Sequence, residues 1–529
     1  MSDALTGTRV LARTFLRRDC WMVLWFTIGI TLLYWSQAAS VRGLYSTQAE
    51  LDRAAASMAH NAAFVAMAGP PRALNTVGGQ VTWQASAFGV VVMALMAMFL
   101  VGRHTRAEEE SGRDELVRSA AVGRQAPMTA ALLVVAAACG IVGACVAGSL
   151  VAYGLPAPGS IANGIGVALG GLGFGAVALV AAQLTASTRA MYGITGAAIG
   201  VAYVLRALGD VGNGVLSWLS PIGWYQSMHP FSGERWWPVL LLLGLAVALG
   251  WAAYAVFARR DIGAGIWPDR PGPARAPFGL QSGLGLAWRL QRNSFLGWAL
   301  GLFVGGLGYG SIGDDVNSLM GDSDFAREVF GSGGADPVDS FYATAALMLA
   351  LIACGFALSS ALRPRGEEND RRLEPVLATA LPRQRWLLGH LLVTVLGTVV
   401  LVALSGLGLG LGYALVTGDA GRIGSFVGAT TSLLPAVLLL AGLAALLYGA
   451  LPRAASLAWL GLGFCVVAML FGTVLRFPGW LQGISPFHHL APVPAAPVDW
   501  AAVVGVLVVA AGLGTLGLLA FRRRDVAAT

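Results

Sequence analysis

The sequence contains no lysine, so all 34 of its basic residues are arginine. A Walker A loop needs a lysine whose ammonium group contacts the β- and γ-phosphates of a bound nucleotide. No polar stretch of the chain is long enough to form an ATPase domain either. The sequence therefore excludes ATP hydrolysis by this chain alone, and we expect no catalytic residue and no cofactor in it.

Charged residues are scarce as well: they make up 12% of the chain, whereas apolar residues make up 56%. Ordinary globular chains carry about twice that charge. Roughly 20 apolar helical residues cross a bilayer core of about 30 Å, and lipid offers no partners to unpaired backbone groups, so the apolar runs must be helices. The sequence predicts an all-α polytopic membrane protein with 12 transmembrane helices, at 20–41, 85–102, 128–153, 164–186, 190–209, 237–258, 294–312, 341–362, 386–416, 428–451, 455–475 and 500–521.

The arginines are unevenly distributed between the loops. Placing the N-terminus in the cytoplasm puts most arginines on the cytoplasmic side, whereas the acidic residues divide almost evenly. Orientation follows positive charge in this way. We therefore predict a multi-pass protein of the cell membrane with both termini in the cytoplasm. The pI of about 9.4 follows from this topology, and no nucleic-acid partner is expected.

Two further absences concern chemistry within the membrane. The five cysteines have no metal-ligand spacing, and the adjacent His488 and His489 have no third ligand nearby, so no metal site is predicted. The predicted span cores contain no aspartate or glutamate. Proton-coupled transporters need ionisable groups in the membrane, so this absence argues against a proton-coupled secondary multidrug transporter. That class remains the alternative, because it also has twelve spans in two parallel halves.

An internal repeat determines the predicted architecture. With a shift of 259 positions, Arg106–Arg124 aligns without a gap on Arg365–Arg383, and eight of nineteen positions are identical. The sequence Arg-Arg-Asp follows the sixth span of each half, at 259–261 and 523–525. Six spans per half make the two copies parallel in the membrane. We predict a first six-helix repeat with an N-terminal interfacial helix at 1–258, a proline-rich cytoplasmic linker at 259–285 and a second six-helix repeat at 286–529.

The two aligned loops are the candidate site for a protein partner. The pairs Glu109–Arg113 and Glu368–Arg372 have the i,i+4 spacing that stabilises a helix, and apolar residues follow each pair. A short helix of this kind, present twice on the cytoplasmic face, is suited to docking into a groove of a soluble partner. The alternative is a solvated loop that only orients the neighbouring helices.

This loop pattern, Glu-Glu-x-x-x-Arg-x-Glu followed by apolar residues and a closing Gly-Arg or Pro-Arg, resembles the first cytoplasmic loop of ABC-2 type exporter permeases. The fused twelve-span form resembles actinobacterial permeases associated with polyketide-antibiotic and multidrug efflux, and the excess of Ala, Gly and Arg suits a GC-rich bacterial source. The resemblance implies the ABC-2 (type V exporter-like) fold. It implies a subunit of an ATP-driven exporter that moves hydrophobic or amphipathic compounds, such as drugs, antibiotics or lipids, out of the cell.

In that family the loop helix contacts a separate nucleotide-binding ATPase subunit, which carries the ATP and Mg²⁺. The resemblance implies two copies of this subunit, one for each loop. It assigns the coupling role to Glu108, Glu109, Arg113, Glu115 and Leu116, and to Glu367, Glu368, Arg372, Glu374 and Val376. The first loop has Gly123 where the second has Pro382, which makes equal coupling by the two halves uncertain.

Candidate residues of a substrate path are mostly aromatic. Trp21, Trp25 and Trp35 share one face of span one, together with Ile28 and Leu32. An aromatic cleft would suit hydrophobic small molecules, whereas the alternative is an interfacial belt or ordinary packing. Arg206 is costly to bury and is a candidate for the same path. The alternatives are that its side chain extends to the membrane interface or that it pairs with Asp210. The candidates are Trp21, Trp25, Trp35, Arg206, Trp298, Phe303, Trp459 and Phe464.

The first external loops of the two halves differ. Thr47 and Glu50 have the spacing of a capping box at the start of a helix in the first half. The corresponding loop of the second half is acidic, with Asp314, Asp315, Asp322, Asp324, Glu328, Asp336 and Asp339. A lid over an exit path and a solvated cap are both open interpretations.

Overall fold

The computed structural model describes residues 3–45, 47–59, 62–261, 263–267, 274–275, 277–280, 282–312, 336–471 and 477–525. Within these ranges the regular structure is helical and contains no strand. The chain divides into two compact units, Met1–Pro271 and Gly272–Thr529. The prediction of an all-α protein is confirmed.

The first unit contains long helices joined by short ones. The described helices are α1 Thr8–Leu44, α2 Gln48–Ala59, α3 Ala62–Ala68, α4 Val77–His104, α5 Arg106–Glu110, α6 Arg113–Arg118, α7 Ala126–Ala152, α8 Ala157–Leu184, α9 Thr188–Val211, α10 Pro221–Gln226 and α11 Pro238–Arg259.

The second unit has a similar succession of elements. Its described helices are α12 Gly283–Gly310, α13 Pro337–Ala361, α14 Arg363–Asn369, α15 Leu373–Leu377, α16 Arg383–Thr417, α17 Ile423–Ser432, α18 Leu434–Ala450, α19 Ala458–Phe471, α20 Gly479–Gln482 and α21 Trp500–Arg523.

Eleven helical segments of the described chain are long and apolar enough to cross a membrane. They coincide with eleven of the twelve predicted spans, so the chain is a polytopic membrane protein. The remaining predicted span, 294–312, lies in α12, which has 28 residues but is not among the eleven. The polar residues Arg289, Gln291, Arg292 and Asn293 confine the apolar part of this helix to 294–310, where glycine, which contributes little hydropathy, is frequent.

Helix α1 differs from the prediction at its start. The arginine-bearing stretch that we expected to form a separate interfacial helix continues without a break into span one, as a single helix of 37 residues. At a rise of about 1.5 Å per residue such a helix is roughly 55 Å long, which exceeds the bilayer core of about 30 Å. One end of α1, with Arg9 and Arg13, therefore extends beyond the apolar layer.

Small residues bring the helices of the first unit close together. Helices α4 and α8 are largely buried and pack against each other, and α7 and α11 pack on α8. At the crossing of α7 and α8, a Cβ atom added to Gly143 would lie 2.5 Å from the carbonyl oxygen of Gly164, and one added to Gly164 would lie 2.3 Å from that of Gly143. Such backbone contact is typical of helix association in membranes.

In the second unit, helices α12 and α16 form a similar close crossing. A Cβ atom on Gly306 would lie 2.3 Å from the carbonyl oxygen of Ser405, and one on Gly408 would lie 2.3 Å from that of Phe303. Helix α13 is largely buried and packs against α12, α16 and α18, and α21 packs against α18. The first and third long helices of this unit are therefore held together by glycine.

The loops predicted to be external show one predicted feature and leave another open. The backbone N–H of Glu50 donates to the hydroxyl of Thr47 at 3.3 Å, and the N–H of Thr47 donates to the carboxylate of Glu50 at 3.2 Å. The predicted capping box is therefore confirmed. In the acidic loop, Asp336 caps α13 by accepting from Val338 N–H at 3.0 Å and Asp339 pairs with Arg422, whereas Asp314, Asp315, Asp322, Asp324 and Glu328 lie outside the described residues.

Candidate functional site

The first charged loop folds as two short helices, α5 and α6, rather than as the single short helix that the spacing predicted. Ser111 and Gly112 separate them, and Gly112 has a φ of +71°. A left-handed residue ends an α-helix, and glycine adopts this conformation readily. The chain therefore turns between Glu109 and Arg113, and these side chains no longer lie one helical turn apart.

The second loop has the same plan in α14 and α15. Arg371 lies between these helices with a φ of +57°, and the shift of 259 positions places it on Gly112. An arginine in the left-handed region is uncommon, so the turn at this position could not be predicted from the residue type. The two loops nevertheless share their backbone form.

The i,i+4 pairs predicted in the loops are wrong. Glu109 does not pair with Arg113, and Glu368 does not pair with Arg372. Because of the left-handed residue, each of these arginines lies closer to the preceding acid instead: Arg113 is 3.8 Å from Glu108, and Arg372 is 4.0 Å from Glu367. The acids have closer partners as well, since Glu108 lies 2.7 Å from Arg18 and Glu367 lies 2.9 Å from Arg363.

Glu109 attaches the first loop to the end of the last helix of its unit. Its carboxylate accepts from Arg260 at 2.5 Å and from Arg106 at 2.9 Å. Arg260 directly follows α11 and also donates to the side chain of Gln183, in the last turn of α8, at 2.8 Å. The side chain of Arg260 is only 2% exposed, so this ion pair is largely removed from water.

Glu368 makes the corresponding contacts in the second unit. Its carboxylate accepts from Arg524, which directly follows α21, at 2.6 Å and from the hydroxyl of Tyr448 in α18 at 2.9 Å. Arg524 stacks over the ring of Phe521 at 5.3 Å, and Arg260 stacks over Phe257 at the same distance. We call these two arrangements the loop clamps: Glu109, Gln183 and Arg260 in the first unit, and Glu368, Tyr448 and Arg524 in the second.

A second arginine completes the equivalence of the two units. Arg124 donates to the backbone carbonyl of Arg260 at 3.1 Å, and Arg383 donates to that of Arg524 at 3.3 Å. Each loop is thereby joined at both of its ends to the terminus of its unit's last helix. A force applied to either loop would be transmitted to the fourth and sixth long helices.

The clamps divide the predicted coupling residues into two groups. Glu108, Glu109, Glu367 and Glu368 are used inside their own unit. Among the other predicted coupling residues, Arg113, Glu115 and Leu116 are exposed on the first loop, and Arg372 and Glu374 are exposed on the second. Leu116 has 74% of its surface accessible. Val376 is half-buried and packs against the core around Leu373 and Trp386, so it contributes less to the exposed surface than Leu116.

A cleft of about 650 Å³ lies beside the second loop. Polar and charged side chains of the loop form one wall, and the residues after α18 form another. Its lining includes Arg365, Glu374, Arg453 and Asp525 together with the clamp residues Glu368 and Arg524. A groove with charges of both signs beside an exposed helix can receive a complementary protein segment.

An ionisable pair that sequence analysis overlooked lies in the first unit. Asp19 is buried within the continuous α1, 3.0 Å from Arg103 and in a short contact with His104 at the end of α4. The predicted core of span one, 20–41, contains no acidic residue, but α1 begins at Thr8 and therefore includes Asp19. The sequence signal was weak, since Asp19 stands one residue outside the apolar run.

A polar cluster in the second unit was also missed. The hydroxyl of Ser360 donates to Gln291 at 2.5 Å and lies 2.7 Å from that of Thr394, and Gln291 lies 3.3 Å from His390. These side chains are buried between α12, α13 and α16. One residue of α12, one of α13 and two of α16 form this cluster, and nothing in their spacing along the chain indicated that they would meet.

The candidate substrate-path residues do not gather in one place. Trp21, Trp25 and Trp35 are exposed along one face of α1, as are Ile28 and Leu32, which confirms the predicted helical face. Trp298 packs closely over Gly355 of α13. In the second unit, Phe303 and Phe464 are half-buried and Trp459 is exposed.

Arg206 is fully buried in α9 and has local partners. It pairs with Asp210 at 3.4 Å, as one of the two interpretations predicted, and donates to the carbonyl of Met67 at 3.0 Å. Its guanidinium group also lies 4.5 Å from the ring centre of Tyr203. Arg206 thus satisfies carbonyl groups at the end of α3 and holds this short helix against α9.

Comparison with known proteins identifies the family of this chain. Residues 280–522 match the family model described as "Multidrug efflux system permease Rv1217c, C-terminal domain". Over 532 aligned residues, the chain is 39% identical to the multidrug efflux system permease protein Rv1217c of Mycobacterium tuberculosis, and the alignment covers 99% of this chain and 96% of that protein. A relative of this identity over almost the whole length establishes the family. The chain belongs to the family of multidrug efflux permeases.

Proposed function

We propose that this chain is the membrane subunit of an ATP-driven exporter and that separate nucleotide-binding subunits dock on its two charged loops. The observation that carries the proposal is the repeated loop clamp. In each unit a loop with exposed charged residues is attached through a largely buried ion pair to the end of the last helix. A soluble motor that moved the loops would thereby move the bundle.

The proposed division of labour follows from chemistry. The chain has no lysine for a Walker A loop, so ATP and Mg²⁺ would be bound by the partner, with one copy for each loop. A nucleotide can shift a conformational equilibrium only through different affinities for the two states. The partner would supply that difference, and this chain the two-state membrane bundle.

The proposed cargo is a hydrophobic or amphipathic compound that leaves the cell, such as a drug, an antibiotic or a lipid. The printed name of the mycobacterial relative supports a role in multidrug efflux. We propose that the arginine-rich end of the bundle, with both termini, faces the cytoplasm, because the distribution of arginine follows the positive-inside rule.

The docking proposal is tested by reversing exposed charges. In the combined variant Arg113→Glu/Arg372→Glu, we expect the full-length chain, purified from its native host, to lose a co-purifying ATPase and at least tenfold of the drug-stimulated ATP hydrolysis. The control variant Arg259→Glu/Arg523→Glu makes the same charge change at equivalent exposed positions that lie on α11 and α21 rather than on the loops. Both variants should be extracted from the membrane at the wild-type level.

Two results would refute the proposal. One is full ATPase activity in the doubly reversed loop variant. The other is uphill transport of a drug by the purified chain alone, reconstituted in vesicles that hold a proton gradient but no ATPase.

The buried pair of Asp19 and His104 supports a second candidate function, a proton-coupled transporter. Both side chains are enclosed within helices that are long and apolar enough to cross the membrane, and such ionisable groups can carry a proton. Under this alternative, Asp19→Asn abolishes transport in vesicles and a protonophore stops efflux while ATP is maintained. Under the ATP-driven proposal, efflux in the presence of the protonophore continues for as long as ATP is present.

A further inference from the structure

A basic groove lies between α1 and α7 of the first unit. Its volume is about 820 Å³. Arg9, Arg13 and Arg17 line one side, and their four-residue spacing places them on neighbouring positions of one helix face. The opposite side is apolar and consists of Leu133, Val134 and Ala137 of α7.

The second unit has a groove between the corresponding helices, α12 and α16. Its volume is about 630 Å³, and Arg289 and Arg292 line it beside Trp288 and Phe295. The wall that α16 contributes is apolar and includes Val393, Leu396, Gly397 and Val400. From Val393 to Val400 this wall extends about 10 Å along the helix, given a rise of about 1.5 Å per residue.

The arginines of the two grooves carry charge that no neighbouring acid neutralises. Within the described ranges, Arg9, Arg13, Arg17, Arg289 and Arg292 form no ion pair, and all five are exposed. The neighbouring Arg18, in contrast, pairs with Glu108 at 2.7 Å. Both grooves place free guanidinium groups beside an apolar wall, and this combination fits a molecule with an anionic head and a hydrocarbon tail.

We propose that each groove binds one anionic phospholipid from the leaflet on the arginine-rich side of the membrane. Guanidinium groups bind phosphate with paired hydrogen bonds, and basic pockets between membrane helices bind lipid headgroups. The headgroup contacts the arginines, and an acyl chain lies along the apolar wall of α7 or α16. A free phosphate ion would leave that wall uncovered, whereas a lipid covers both parts of the groove.

The site is independent of ATP coupling, because neither groove includes a residue of the charged loops or the loop clamps. A failed docking experiment on the loops would therefore leave this proposal intact, and the reverse also holds.

The stoichiometry of bound lipid tests the proposal. The full-length chain is reconstituted in vesicles of equal parts phosphatidylglycerol and phosphatidylethanolamine, extracted in mild detergent and analysed by native mass spectrometry. We expect two molecules of phosphatidylglycerol per chain. Arg289→Gln/Arg292→Gln and Arg13→Gln/Arg17→Gln should each remove one. Retention at the changed groove should weaken roughly 25-fold if each arginine contributes about fivefold.

Two further variants separate a groove from general surface charge. Arg522→Gln/Arg523→Gln removes the same charge at exposed positions at the end of α21, and it should leave both lipids bound. Leu396→Trp keeps every charge but fills the apolar part of the second groove, and it should release one lipid. Equal retention of the two phospholipids, loss of lipid in the Arg522/Arg523 variant, or two lipids retained in Leu396→Trp would overturn the proposal.

Discussion

At the scale of single residues, the loop clamps join distant parts of the chain through a few polar atoms. The carboxylate of Glu368 accepts from Arg524 at 2.6 Å and from Tyr448 at 2.9 Å, and about one-seventh of each ion-paired side chain is exposed. Hydrogen bonds to charged groups contribute about 1.5–3 kcal/mol. In the first unit Arg260 is more enclosed and also contacts Gln183, so its loss should cost more.

We therefore expect Arg524→Gln to lower the free energy of unfolding by about 2 kcal/mol and Arg260→Gln to lower it by about 3 kcal/mol or more. Thermal unfolding of the purified chain, followed by tryptophan fluorescence, measures both. Arg523→Gln is the matched control, since this exposed neighbour should change stability by less than about 0.5 kcal/mol. If Arg523→Gln and Arg524→Gln lower stability equally, the clamp is not a stabilising contact.

The acids of the clamp could be selected from sequence, but their partners could not. Spacing rules consider residues within one or two helical turns, whereas Glu368 and Arg524 are 156 positions apart and Glu109 and Arg260 are 151 apart. The repeat did contain a signal. The loop acids and the Arg-Arg-Asp sequences were both duplicated, and this joint duplication is what a conserved contact between them would produce.

At the scale of helices, glycine determines how closely α12 and α16 approach. The glycines in contact are four residues apart on each helix: Gly306 and Gly310 on α12, and Gly408 and Gly412 on α16. A Cβ atom added to any of them would lie 2.0–2.3 Å from a backbone oxygen of the other helix. Rigid backbone cannot move aside as a flexible side chain can. The glycine content of the spans was evident from sequence, but the pairing of α12 with α16 was not.

Gly306→Ala should therefore destabilise the second unit, by about 1–3 kcal/mol, as overpacked sites do. Gly301→Ala is the control on the same helix, because nothing lies within 4 Å of a Cβ atom at that position. It should leave stability unchanged or raise it slightly, since alanine favours the helix over glycine. The yield of monodisperse protein and its midpoint of thermal unfolding distinguish the two variants. Equal values for both variants would show that α12 and α16 can move apart at no cost in stability.

At the scale of the whole molecule, the sequence repeat predicted two units with equivalent loops, and their backbones agree down to the left-handed residue. The long apolar helices were predictable because membrane spans depend on length and hydropathy alone. The turn at Arg371 was not, since an arginine rarely adopts this conformation; local backbone hydrogen bonds from Arg371 to Glu368 and from Arg372 to Glu367 close the turn. The start of α1 was misjudged because charged residues extend this helix beyond the apolar layer.

The two loops differ in how they are held, which bears on whether they couple equally. The N–H of Gly123 donates to Thr6 at 3.0 Å and that of Gln125 donates to Ala4 at 3.1 Å, so the N-terminal segment binds the end of the first loop. Pro382, which corresponds to Gly123, has no N–H to donate. The first loop should therefore be the less mobile of the two.

Hydrogen–deuterium exchange measured by mass spectrometry tests this difference within one molecule. We expect the amides of 106–123 to exchange more slowly than those of 365–382. Deletion of residues 2–6 removes both acceptors and should accelerate exchange in the first loop alone, with the second loop as internal control. Equal acceleration in both loops would indicate general destabilisation, and no change in either would show that the N-terminal segment does not hold the loop. If a subunit docks on the loops as we propose, a first loop that is released in this way should also transmit less motion to α11, because a compliant connection absorbs displacement before the clamp residues move.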